Sequence, residues 1–188
     1  MADTVVLFMG DHGTHFADNP WQIMGKPHHA MWPGVMHLPL IVRWPGTTPG
    51  RTVDDLVYNV DATATVYDAG SVEGHETIHG RSLRPLLTGA GPWERRPYVT
   101  CRFDDSLCCI DDAFWVRTNV RREPGELFDL RKDPECHEPL GWSEHPAVVQ
   151  RAWERLIADA GGSLPVYDPK TFVRTDAVGE EVVARETE

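Results

Sequence analysis

The stretch Thr4-Val5-Val6-Leu7-Phe8-Met9-Gly10-Asp11-His12-Gly13 decides the fold. Its run of β-branched and apolar residues from Thr4 to Met9 predicts a buried strand, and the Gly-Asp-His-Gly that follows predicts a glycine-flanked turn at the strand's carboxyl end. The run has too little positive charge before it to be a signal-peptide core and is far short of the ~20 apolar residues that span a bilayer. Working outward, Leu38-Pro39-Leu40-Ile41-Val42-Arg43-Trp44 ends at Pro45-Gly46 and predicts a second core strand. Between the two, Thr14 to His37 is rich in Gly, Pro, His, Trp and Met without a clear period, which predicts a long loop with one helical turn. Long ordered loops after buried strands are often functional.

Further along, Asp61 to Ala69 followed by Gly70 predicts a helix with an acidic start and a glycine stop. The proline-broken segment His79 to Leu87 allows one helical turn. From Pro97 to about Leu130, four short β-prone segments separated by turn residues predict an antiparallel meander: Tyr98–Cys101, Leu107–Ile110, Ala113–Thr118 and Glu126–Leu130. Ser143 then opens a helical pattern carried by Val149, Ala152, Trp153, Leu156, Ile157 and Ala160, with Pro146 in its first turn and Gly161-Gly162 as the stop. The organisation predicted is an α/β part over 1–95, a small antiparallel subdomain with a packing helix over 96–165, and a loosely ordered tail over 166–188.

At 188 residues the chain suits one domain with a small appendage. Eighteen Lys and Arg stand against 29 Asp and Glu, a formal net charge of -11 that would repel a phosphate backbone, so nucleic acid is excluded as a partner. No membrane span is expected, and a soluble, cytoplasmic chain follows unless an export signal lies upstream of Met1. Cys101, Cys108, Cys109 and Cys136 are too few and wrongly spaced for a disulfide scaffold, and read as reduced, partly buried thiols. A vicinal redox role for Cys108-Cys109 has no other support.

Five of the nine histidines (His12, His15, His28, His29, His37) fall in the first 37 residues, together with Asp11 and Lys26. A carboxylate and an imidazole at the carboxyl end of a buried strand can meet one divalent cation, because both side chains can swing to the same crevice. Gly10 and Gly13 are read as letting the backbone turn there without Cβ clashes. The competing reading is that Asp11 and His12 only hydrogen-bond the turn. His28 and His29 either line a substrate mouth or lie solvated with His15 and His37. Trp21, Trp32 and Trp44 read first as packing residues, with Trp32, beside the Lys26 loop, the candidate for contacting a ligand. Arg81 is read as pairing with a carboxylate or carbonyl for structure, and Asp104-Asp105 and Asp111-Asp112 as solvated turns.

The ordered series of blocks is informative. The opening strand and Gly10-Asp11-His12-Gly13 are followed by Gly25-Lys26-Pro27-His28-His29-Ala30, Leu38 to Gly46, Asp61, Gly80-Arg81-Ser82-Leu83 and Leu86-Leu87. Together these resemble the later half of a type I sulfatase of the alkaline-phosphatase superfamily. Glu126 to Pro134 resembles the strand and turn of that family's small C-terminal subdomain, and the resemblance runs from Thr4 to about Tyr167. It implies a partial alkaline-phosphatase-like mixed sheet with helices, followed by a small antiparallel sheet and a C-terminal helix. It further implies that Asp11 and His12 are ligands of a divalent metal, usually calcium, and that Lys26 contacts the sulfate. His28, His29 and Trp32 would lie on the substrate side, facing a sulfate-ester small molecule or a sulfated sugar.

The family's nucleophile, a formylglycine made from the Cys or Ser of Cys/Ser-x-Pro-x-Arg, is not encoded in these 188 residues. Ser163-Leu164-Pro165-Val166-Tyr167 has the proline but ends in Tyr167. The acidic residue common after the Trp/Tyr-Pro step is replaced by Gly34, and Asn19-Pro20-Trp21-Gln22 lacks the usual Glu-His-Gly. The expectation is therefore a sulfuric ester hydrolase lacking its nucleophile-bearing part. A phosphonate monoester or phosphodiester hydrolase of the same superfamily and a non-catalytic remnant or interaction module are the alternatives. An opening strand separated from its sheet would expose an apolar edge and face, and self-association is expected from it.

Overall fold

The computed structural model describes residues 3–17, 19, 21–27, 29–47, 50–72 and 78–165, with two short strands beyond. β1 (Val6–Met9) carries the opening apolar run. A two-stranded ribbon follows, β2 (His15–Phe16) with β3 (Met24–Gly25), and then a single helical turn, α1 (Pro33–Met36). The loop predicted between the two core strands is thus partly ordered by its own small ribbon.

β4 (Leu40–Arg43) is the second predicted strand, and it lies antiparallel to β1 with Phe8 opposite Ile41 and Met9 opposite Leu40. Leu7, Met9, Leu40 and Val42 are half-buried on one face, whereas Phe8 and Ile41 on the other are 61% and 64% exposed. The strand predicted to be buried is covered on one face because strand side chains alternate, and no described element packs on the Phe8 side. The apolar face expected to be exposed is there.

α2 (Asn59–Ala69) begins where the acidic start was predicted: the Asp61 carboxylate accepts the Tyr58 N–H at 2.8 Å, and the helix stops at Gly70. Thr65 ties it to α3 (Arg84–Thr88), donating to the Asp61 carbonyl at 2.6 Å and accepting the Leu83 N–H at 2.9 Å.

The meander forms as a four-stranded sheet in the order β5-β6-β7-β8: β5 (Val99–Phe103), β6 (Ser106–Ile110), β7 (Phe114–Asn119) and β8 (Glu126–Asp129). α4 (Pro146–Asp159) crosses one face, where Ala152 and Leu156 pack on Leu107, Cys109, Val116 and Leu127. Each fully buried aliphatic side chain there contributes about 1.5–3 kcal/mol. The other face is covered too, by Ala30, Met31 and Trp32 against Cys108, Trp115 and Phe128. This second core joins side chains from both sides of residue 95. It explains why Leu107, Cys108 and Cys109 are buried in succession, since a strand covered on both faces does not alternate. Adjacent Cys108 and Cys109 belong to opposite cores, and all four cysteines are free thiols.

The expectation of a loose tail falls mostly on residues outside those described. Within it, β9 (Val173–Thr175) and β10 (Glu181–Val183) pair antiparallel. Among the described residues no helix is long and apolar enough to cross a membrane.

Candidate active site at the Asp11–His12 turn

β1 delivers the chain to Gly10, after which Asp11 and His12 point out of the turn. Asp11 Oδ1 accepts the His12 N–H at 2.9 Å, and Asp11 Oδ2 lies 3.4 Å from His12 Nε2. The His12 N–H, then the neighbouring imidazole and, more weakly, the Lys26 ammonium hold the Asp11 carboxyl below its ordinary value of 3.8, keeping it an anion. His12 Nδ1 lies 2.9 Å from the Gly13 carbonyl, which as a pure acceptor requires Nδ1 to carry the proton and leaves the Nε2 lone pair for an incoming cation.

Lys26 arrives at the same point by register. β2 pairs with β3 as His15 with Gly25 and Phe16 with Met24, so the residue after β3 returns beside the residues before β2. The Lys26 Nζ consequently donates to His12 Nε2 and lies 3.5 Å from Nδ1. The turn is fixed from behind by Gly13, whose N–H donates to the Val35 carbonyl at 2.9 Å. A Cβ at Gly13 would fall 2.0 Å from the Gly34 carbonyl oxygen, so the glycine is required for this close approach. Of the two glycines expected to spare a Cβ clash at the turn, Gly13 does so and Gly10 has ordinary clearance; neither has a positive φ.

The structure thus brings Asp11, His12 and Lys26 together at an exposed point, with side-chain exposures of 87% for Asp11 and 44% for His12. His28 lies outside the described residues. His29 is exposed, and its carbonyl accepts from Arg117. Trp32 takes the packing role read first for it: it is 4% exposed, its Nε1 donates to Glu126 Oε2 at 3.0 Å, and its ring stacks on Trp21. A bulky indole beside an apolar sheet face gains more from burial there than at a wet loop. His15 departs from the solvated place expected for it. It is buried at 2% exposure, with Nε2 3.3 Å from the Ala30 carbonyl and its ring edge against Trp32.

Sequence reasoning did not single out Arg117. Its guanidinium lies 3.9 Å over the Trp32 ring, donates to Glu126 and to the His29 carbonyl, and burial draws its pKa down to about 10. The partner residues lie up to 88 positions away, and no local pattern signals them.

Asp11 and His12 are two adjacent donors of mixed type, a hard carboxylate and an imidazole. Among the described residues no group of three or more His, Cys, Asp or Glu gathers around one point as a metal set. The pair fits a divalent cation as part of its shell, since calcium takes ~6–8 oxygens and the first-row ions accept mixed nitrogen and oxygen donors.

A family model described as N-sulphoglucosamine sulphohydrolase, C-terminal, matches residues 27–160. This chain belongs to that sulfatase family. Arylsulfatase K of Danio rerio is 31% identical over 158 residues, covering 78% of this chain and 29% of the relative. Among solved structures, the phosphonate monoester hydrolase SpPMH from Silicibacter pomeroyi superposes with a TM-score of 0.74 at 22% identity, over 100% of this chain and 40% of that one. BT4656, solved in complex with its substrate D-glucosamine-2-N,6-O-disulfate, gives 0.69 at 20% identity, over 84% and 34%. The fold is that of the alkaline-phosphatase-like sulfatases, and the chain spans about a third of the length of the curated relatives it matches. The resemblance read from the blocks between Thr4 and Tyr167 is therefore correct at the level of family and fold.

Proposed function

We propose that this chain supplies the metal-turn and anion-binding half of a sulfuric ester hydrolase. In this reading Asp11 and the His12 Nε2 lone pair hold part of a divalent cation's shell. Lys26, now bonded to that imidazole, turns its ammonium to an oxygen of the transferring sulfate. The observation that carries the reading is the convergence of a carboxylate, an imidazole and an ammonium on one exposed turn, through the β2–β3 register. A cation and an ammonium around a tetrahedral anion stabilise the charge that moves to the leaving oxygen as the S–O bond breaks. When bound, the cation supplies Lewis-acid stabilisation. The chain's own residues keep Asp11 ionised, hold the His12 tautomer through the Gly13 carbonyl and position Lys26. The nucleophile, a formylglycine from a Cys/Ser-x-Pro-x-Arg segment, would come from outside these 188 residues. A sulfated sugar suits such a site, as in the BT4656 complex with a disulfated glucosamine.

A phosphonate or phosphodiester hydrolase is the second reading, favoured by one feature. His12 puts an imidazole in the donor pair, which suits a first-row ion such as zinc or iron better than calcium. Two measurements decide. The coding DNA upstream is read for an in-frame Cys/Ser-x-Pro-x-Arg, and the protein that joins such a segment to this chain is assayed on an aryl sulfate and an aryl phosphonate ester. Sulfate turnover is expected; exclusive phosphonate turnover selects the second reading, and no turnover of either ends both.

A further inference from the structure

The loop that carries Lys26 is held at both ends. Upstream, Gly25 pairs with His15 in the β2–β3 ribbon. Downstream, three consecutive carbonyls each meet a side chain: that of His29 accepts from the Arg117 guanidinium, that of Ala30 lies 3.3 Å from His15 Nε2, and that of Met31 accepts from Trp115 Nε1 at 3.0 Å. Between these fixed points the chain has little freedom. Pro27 locks its own φ and favours extended backbone for Lys26 before it, and the Ala30 N–H closes a turn on the Pro27 carbonyl at 2.8 Å. The path from the His29 carbonyl back to Lys26 is therefore a hydrogen-bonded turn and not slack chain.

Two of the three side chains, Arg117 and Trp115, stand on β7. Arg117 is the costly one. Its side chain is only 12% exposed, beside Trp32 of the apolar core, and replacing a buried ion pair by apolar residues of similar volume is often neutral or stabilising. Stability alone does not call for a charge there. What a guanidinium adds over an apolar residue is direction: its planar fork donates to Glu126 across the β7–β8 register and to the His29 carbonyl, while its face lies 3.9 Å over the Trp32 ring. Glu126 also accepts from Trp32 Nε1 at 3.0 Å, so the pair fixes the indole and the loop against the same two strands.

We propose that Arg117 is the positioning residue for Lys26: by holding the His29 carbonyl it fixes the turn that starts at Pro27, and so keeps the ammonium beside His12 Nε2. The meander thus acts on the Asp11–His12 turn through the loop. Its effect on turnover rests on the hydrolase reading above; the hold on the loop does not.

The test combines Arg117→Met with Glu126→Gln, which removes both charges together, keeps an unbranched apolar stem beside the Trp32 ring and leaves an acceptor for Trp32 Nε1. Arg117→Ala alone would strand the Glu126 carboxylate. In the 188-residue chain, the NMR cross-peak between the Lys26 ε-protons and the His12 ring should be lost in the double variant, while the cross-peaks of the register partners Trp115 and Phe128 and the urea midpoint are retained. In the joined, active protein, kcat for the aryl sulfate should fall about 10–10²-fold with KM little changed, since misplacing a reacting group by about 1 Å can cost about 10². In a Lys26→Ala background the same two substitutions should lower kcat no further, because a residue that acts through Lys26 has nothing left to position. The inference is overturned by the absence of the Lys26–His12 cross-peak from the wild type, by its persistence at full strength in the double variant, or by its loss together with the Trp115–Phe128 cross-peaks, which would make Arg117 a residue of the fold. A fall in kcat undiminished without Lys26 overturns it too. If neither ester is turned over while the cross-peak is lost as expected, the hydrolase reading goes and the hold on the loop stays. Turnover with an unchanged cross-peak removes the hold alone.

Discussion

Arg96 and Asp61 form a two-pronged ion pair across 35 positions, Nη1 to Oδ2 at 2.8 Å and Nη2 to Oδ1 at 2.7 Å, with Asp61 wholly buried and the Arg96 side chain 7% exposed. The carboxylate also accepts the N–H groups of Tyr58 and Arg81, at 2.8 and 2.7 Å, so one side chain joins the start of α2, the Gly80-Arg81 segment and the approach to β5. Removing one member strands the other as an unpaired buried charge, which costs about 3–5 kcal/mol. Asp61→Ala should therefore lower the urea midpoint more than Arg96→Ala, because it also orphans two backbone donors. Equal midpoints for the two variants would contradict the joining role of Asp61.

At the Asp11–His12 turn, the proposal predicts that Asp11→Asn lowers the affinity of the 188-residue chain for manganese at least tenfold, read by calorimetry. His12→Ala should do the same. Lys26→Ala should leave metal affinity equal or raised, because it removes the ammonium that bonds His12 Nε2. In an active protein the Lys26 substitution should cost about 10²–10³ in kcat, as loss of one transition-state donor does.

Asp111 connects the meander to α4 and should set part of the acid limb of stability. Burial raises its pKa, but the Arg155 hydrogen bond at 2.6 Å and the N–H groups of Ala113 and Phe114 outweigh it, leaving the carboxyl below its ordinary 3.8. A carboxyl depressed on folding stabilises above its unfolded value, and that contribution is lost as pH falls through the lower folded value. In urea titrations from pH 6 to pH 2, wild type should exceed Asp111→Asn by a constant margin down to about pH 4, and the margin should close below that. A margin that persists at pH 2 would show that the difference lies in packing rather than charge.

The thiols should be silent in the native protein. Burial pushes Cys108 far up, Cys109 to about 11 and Cys136 to about 12, while Cys101, half-buried, is raised less. With thiolate the reactive form, a thiol reagent at pH 8 should modify Cys101 slowly and the other three only on unfolding. Fast modification of two adjacent cysteines would revive the vicinal redox role.

Much of this was legible along the chain. The meander, α2 and α4 with its glycine stop follow from local periods of about 2 and 3.6 residues and from turn residues, and they lie within a residue or two of their predicted bounds. The Asp11-His12 turn was legible because a strand run ended there. His15 was misplaced because it lies in a segment without periodicity: its own loop returns to bury it, with the Trp32 ring against its edge and the Ala30 carbonyl 3.3 Å from Nε2, and Trp32 is held in turn by Cys108, Trp115 and Phe128 of the distant sheet.

The sequence alone carried the family in its ordered blocks, and residue type and short spacing carried the meander, α2, α4 and the three groups read as suited to an anion and a cation. Only the tertiary structure decided which groups meet. The β2–β3 register carries Lys26 to His12, and Arg96 reaches Asp61 through the order in which strands and helices stack. Trp32 is buried by packing across the meander, and Arg117 by the same contact. Such contacts arise when distant segments bury apolar surface against one another, and that gain is a property of complementary faces that no local stretch of chain contains.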